Sequence, residues 1–180
     1  KRFYSSSKRA SPFAQLDQLA KLCASVNGMQ STLKKSAIIK ESPACHSTLK
    51  RIYDPHLRFH LSKNTALKYL KSHSIEAVST YDDLNTLLDD LSSRTLRGNA
   101  ACEAVGSFYQ TYCHTEEHKE IFWRILDKNL KMGVSFKSIR HVLPMESMSV
   151  ALAASSVPHF DVSDSWYVSQ KLDGIRCIAM

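Results

Sequence analysis

Apolar residues return at three- and four-residue spacings from Phe13 to about Leu143, and this rhythm commits the chain to amphipathic helices. Leu84, Leu87, Leu88 and Leu91 are the cleanest case, a single stripe along one face. Only five glycines and five prolines occur in 180 residues, which disfavours a turn-rich β fold. Phe13, Leu16, Leu19, Ala20 and Cys23 predict a first helix that Gly28 ends. Leu33, Ala37 and Ile38 predict a second. Leu49, Ile52 and Tyr53 predict a third, stopped before Pro55, and Leu67, Leu70 and Lys71 a weaker fourth. Thr80 is placed to cap the next helix, with Asp82 and Asp83 in its first turn, where carboxylates offset the positive helix end. Gly98-Asn99 breaks the chain and opens a helix through Ala101, Val105, Phe108 and Tyr112. Another is expected from Glu117 to Leu130, buried through Ile121, Phe122, Ile125 and Leu126 and stopped by Gly133. Ser135 caps a last helix through Phe136, Ile139 and Val142, closed before Pro144.

After Pro144 the texture changes. Residues 145–165 are small and polar, with Pro158 and several serines, and read as a linker. Trp166–Gln170 and Ile175–Met180 are strand-like, and Asp173-Gly174 between them is a hairpin signal. A lone hairpin is marginal, so the segment is expected to begin a domain that continues past Met180.

Charge is unevenly spread. The net +7 divides into about +11 over residues 1–71, about −6 over 72–122 and about +2 over 123–180. A basic chain with segregated charge suits a polyanion partner. Five cysteines without C-x-x-C spacing point to free thiols in a reducing compartment. No apolar run is long enough to span a bilayer, so no membrane partner is expected. The first residue is Lys1, so the natural start is expected upstream. Residues 1–12 form a basic tail or transit-peptide remnant: Lys1–Arg9 is basic, serine-rich and free of acids, a composition that suits mitochondrial targeting, with a nuclear signal or DNA-touching tail as the alternative.

The sharpest chemical signal is Lys171-Leu172-Asp173-Gly174-Ile175-Arg176. It resembles the K-x-D-G-x-R motif of DNA ligases, RNA ligases and mRNA capping enzymes. A lysine amine can attack the α-phosphate of ATP and later leave, because the P–N bond it forms is reactive. The amine must first lose its proton, which desolvation and nearby cations favour. The resemblance implies that Lys171 becomes adenylylated, that Arg176 contacts the nucleotide, and that Asp173-Gly174 shape the turn. Ser169 and Gln170 would border the adenine. Many cellular ligases carry an acid two positions before the lysine, where this chain has Ser169.

Two glycine turns lie about 35 residues apart, at Arg97-Gly98-Asn99 and Lys131-Met132-Gly133-Val134-Ser135. A helix start offers unpaired N–H groups and a positive dipole end to a phosphate. Arg94, Arg97, Lys128, Lys131 and Lys137 gather around these turns in sequence. The alternative is two ordinary corners capped by Asn99 and Ser135. Leu91–Ala101 is similar to the T-G-N-A-A turn of DNA ligase DNA-binding domains, and Leu126–Ser135 to their D-L-R-x-G-x-S turn. Asn129 replaces the usual aspartate there, and Lys131 keeps the basic position. Gln170–Cys177 resembles the Q-x-K-x-D-G-x-R-C of the T-even bacteriophage type, with the glutamine one place nearer the lysine.

The resemblance therefore implies an ATP-dependent DNA ligase of mainly α character at this end. An all-helical DNA-binding domain spans 13–144, a linker 145–165, and the truncated first hairpin of an α+β nucleotidyltransferase domain 166–180. It implies ATP and Mg²⁺ as cofactors, nicked duplex DNA as partner, and a monomer. It places the metal ligands and an OB-like domain beyond Met180, with no metal ligand in this segment, so that the piece alone is inactive in sealing. An RNA ligase, a capping-type enzyme or a non-catalytic DNA-binding fragment are the alternatives. Repair, replication and recombination are not distinguished. His56, His60, Cys113, His114 and His118 lack structural-zinc spacing. Asp82, Asp83, Asp89 and Asp90 read as a solvated face with a capping turn, and Phe108, Phe122 and Trp123 as core.

Overall fold

The structure is a computed structural model that describes residues 10–75 and 77–145. The chain divides into two compact units, Lys1–Glu146 and Ser147–Met180, and only the first contains described residues. The predicted tail at 1–9, most of the linker and the whole 166–180 hairpin lie outside them.

Eight helices form the described part, with no strand among the described residues. They are α1 (Pro12–Asn27), α2 (Thr32–Lys40), α3 (Pro43–Tyr53), α4 (Lys63–Ser72), α5 (Leu84–Ser92), α6 (Gly98–Tyr112), α7 (Glu116–Leu126) and α8 (Phe136–Val142). The mainly helical expectation holds for this part. No described helix is long and apolar enough to cross a membrane.

Each helix starts where its sequence supplies a cap. Ser11, Ser62, Thr115 and Ser135 accept from backbone N–H groups three residues on, and Pro12 and Pro43 occupy first-turn positions that have no donor to lose. The apolar stripes then meet in one core. Leu16, Leu19 and Val26 of α1, Leu49 and Ile52 of α3, the four leucines of α5, and Phe122 and Ile125 of α7 are all essentially inaccessible. Phe108 of α6 stacks on Phe122 at 5.5 Å, and Trp123 lies 4.8 Å from Tyr109, so the aromatic trio fills the core. Helix α4 lies on α6 at Gly106, where an added Cβ would come within 2.6 Å of Ile75 Cδ1 and 2.8 Å of Leu70 Cδ2. The missing side chain lets the two helices close up.

Four expectations are corrected. Asp83, not Thr80, caps α5: its carboxylate accepts from Asn85 N–H at 3.2 Å and from Gln15 Nε2 of α1 at 2.6 Å. Helix α7 ends at Leu126, not Leu130. Leu130 and Met132 are still buried, because the connection after α7 folds back on the core. Leu33 is 84% exposed, and Ile39 is the residue α2 buries. Arg97, not Asn99, occupies the N-cap position of α6. The remaining aspartates have ordinary work: Asp89 takes a bidentate hydrogen-bonded pair from Arg51 at 2.6 Å, and Asp90 accepts from the Tyr81 hydroxyl at 2.7 Å.

Candidate nucleic-acid interface

Every described residue with positive φ falls in one of three connections. His60 lies between α3 and α4. Arg94 and Gly98 lie between α5 and α6. Lys128, Lys131 and Gly133 lie between α7 and α8. The left-handed region disfavours any residue with a Cβ by about 1–2 kcal/mol. Glycine, or sometimes asparagine, is the usual occupant at a helix end. Here the four non-glycine occupants are all basic residue types, His60, Arg94, Lys128 and Lys131.

The local bonding explains the backbone. After α5, Arg94 N–H donates to Leu91 O and Leu96 N–H to Asp90 O. After α7, Lys128 N–H donates to Ile125 O and Asn129 N–H to Arg124 O. The second pair is the full Schellman pattern, with Lys128 in the left-handed position, and the first is a near relative of it. Both turns satisfy carbonyls that a helix end would otherwise leave open.

The α5–α6 turn opens onto a cleft of about 390 Å³. Thr65, Lys68 and Tyr69 of α4 form one wall, and Arg94, Arg97, Gly98 and Asn99 form the other. His60 lines it as well, and none of the described lining residues is acidic. Arg97 Nε donates to Arg94 O at 2.6 Å, which holds the guanidinium over the turn with two further nitrogens to offer. Gly98, at φ +52°, begins α6, and a Cβ built there would meet nothing within 4 Å. A ligand oxygen can therefore approach the backbone and the positive end of a 15-residue helix directly.

The α7–α8 turn is tied to the same region. Lys128 Nζ donates to the carbonyls of Asp54 and Leu57 and sits 5.6 Å from the Phe59 ring centroid. Asp127 accepts from Lys63 N–H at 3.3 Å, at the start of α4. Connection 54–62 thus lies between the two turns: Lys128 grips it from one side, and its Phe59, His60 and Leu61 line the cleft on the other. Burial holds the Lys128 ammonium below the ordinary lysine value, with Asp54 opposing and Arg58 adding to the shift.

The residues predicted from sequence separate accordingly. Arg94, Arg97, Gly98 and Asn99 come together at the cleft, exposed. Lys131, Gly133, Ser135 and Lys137 are exposed on the second turn and the start of α8. Ser135 is occupied in capping α8, accepting from Ser138 N–H at 3.3 Å. Lys128 is half-buried and turned into the fold. Sequence reasoning missed His60, Lys68 and Tyr69, which come from separate elements. It also missed Lys35 of α2, whose Nζ donates to Met132 O at 2.8 Å and sits beside Gly133. The basic bias of the first 71 residues was the only signal for these. Ser169, Gln170, Lys171, Asp173, Gly174 and Arg176 lie outside the described residues. No group of metal-ligating side chains occurs among the described residues. No protein-family model matches the chain, and no curated protein matches it.

Proposed function

We propose that this chain is the DNA-binding part of an ATP-dependent DNA ligase together with the lysine that carries AMP. The observation that supports the DNA half most is the acid-free cleft at the α5–α6 turn, where Lys68, Arg94 and Arg97 surround an open helix start. Contacts of that kind meet phosphates without reading bases. Nicks occur in any sequence, so a nick-sealing enzyme needs such a grip. The catalytic half rests on the Lys171–Arg176 motif.

In this reading the Lys171 amine attacks the α-phosphorus of ATP. A P–N bond forms, the bond to the bridging oxygen breaks, and pyrophosphate leaves. The 5′-phosphate at the nick then attacks the lysyl-AMP phosphorus and releases the amine. Finally the 3′-hydroxyl attacks the activated phosphate, and AMP leaves. Mg²⁺ would neutralise phosphate charge during these steps.

The natural full-length protein, incubated with ATP labelled at the α-phosphate, is expected to acquire covalent label, and its Lys171→Ala variant none. Label retained by the variant sinks the assignment of the nucleophile. Duplex binding without any labelling of the wild type would leave a DNA-binding module and remove the ligase.

A further inference from the structure

The cleft at the α5–α6 turn is deeper and more apolar than a groove for a phosphate backbone needs to be. A phosphodiester chain crossing a helix start meets a convex surface with donors and cations. Here the cations stand on the rim of a cavity of about 390 Å³, within the range of small-molecule sites. Beneath them, Leu61 and Leu96 are half-buried, and Ala101 and Cys102 are buried. This floor offers nothing to a phosphate and has the character of a surface for a flat, weakly polar body. Tyr69 adds an aromatic edge: its hydroxyl donates to Glu103 at 2.9 Å, and its ring stacks on His73 at 4.0 Å. An anionic head on an apolar or aromatic body is the chemistry that fits, and a nucleotide is that combination.

We propose that the cleft receives one unpaired nucleotide of the DNA, its phosphate between Arg94 and Arg97 and its base against Leu61, Leu96 and Tyr69. The inference rests on the reading of this face as a DNA interface and adds what that reading lacks, a preference for a break with a displaced or unpaired nucleotide. A flap nucleotide is already out of the duplex stack, so little unstacking free energy opposes its entry. Packing a base against an aromatic and apolar surface favours binding in proportion.

The test compares two labelled duplexes of one sequence, one with a flush nick and one with a single-nucleotide 5′ flap, titrated by fluorescence anisotropy with the chain containing residues 1–180. The flap duplex is expected to bind on the order of tenfold tighter. Thr65→Trp, which fills the cleft from an exposed position on α4, is expected to erase the difference. Amide shifts on adding dAMP should fall on Leu61, Leu96, Ala101 and Cys102 and report the cleft independently of any variant. Equal affinity for the two duplexes overturns the inference and leaves the DNA reading standing. Absence of duplex binding removes both. A flap preference that survives in a folded Thr65→Trp variant, or dAMP shifts located elsewhere, places the nucleotide outside the cleft and overturns the inference. Binding of dAMP in the cleft without a flap preference assigns it to free nucleotide and overturns the DNA source.

Discussion

Arg94 and Lys128 hold the same backbone position after two different helices, yet their side chains have opposite duties. Arg94 reaches the cleft from an exposed turn, whereas Lys128 is bonded to two carbonyls of another connection. Replacement by glycine separates these duties, because glycine relieves the left-handed strain at both. Arg94→Gly is expected to stabilise the fold by about 0.5–1 kcal/mol. It should also weaken duplex binding and lower the log–log salt slope by about one. Lys128→Gly is expected to lower the melting temperature and leave the salt slope of any residual binding unchanged. Thermal melts and titrations at several salt concentrations check both, and a destabilised Arg94→Gly would show that the arginine serves the fold. Such a division of labour is invisible in sequence. Both residues are basic and follow a helix, but the Lys128 partners lie 74 and 71 positions away.

Among the elements, α5 is anchored by its first residue pair more than by its propensity. Asp83 is 7% exposed, bonds Asn85 N–H, Thr86 Oγ1 and Gln15 Nε2, and Gln15 Oε1 in turn accepts from Leu84 N–H at 2.9 Å. Asp83→Ala removes a cap and leaves buried donors of α1 and α5 without that acceptor. A loss of about 2 kcal/mol is expected in urea unfolding; a change within about 0.5 kcal/mol, the ordinary effect of a surface substitution, would contradict this role. Here the sequence pattern was readable as to helix but not as to cap. Thr80, Asp82 and Asp83 all suit a helix start, and the choice falls to the one that Gln15 meets from 68 residues away. The end of α7 failed differently. Leu130 continues the apolar spacing and is 1% exposed, so the pattern reported burial correctly and helix wrongly. In α2 the spacing is weak, and its packing against α1 and α8 decides that Ile39 is buried and Leu33 is not.

For the molecule as a whole, the helical periodicity was enough to recover an α architecture, since one stripe per helix demands one shared core. The interface was legible only in part. Its two turns carry glycine and basic residues in sequence, while the cleft wall from α4 and the Lys35 contact need the fold to bring them in. The same core encloses Cys23, Cys45, Cys102 and Cys113, all free and all buried. Burial pushes the thiols of Cys23 and Cys45 up to about 11 and that of Cys113 up to about 12, and raises Cys102. A raised thiol value means that the reactive thiolate is scarce below it and appears only as pH climbs towards it. At pH 8 the folded protein is therefore expected to leave these four unmodified by iodoacetamide, with alkylation following global unfolding in denaturant. Rapid native labelling of any of the four, read by peptide mass, would contradict the packing.

The inward Lys128 carries one more implication. Mobile ions screen the cations on the rim of the cleft but have little access to an ammonium already desolvated and hydrogen-bonded within the fold. Brine strong enough to strip a polyanion from Arg94 and Arg97 thus leaves the grip on connection 54–62 in place. Release and collapse are decoupled: the domain lets go of its cargo with its hand still shaped, ready to close on the next strand without refolding.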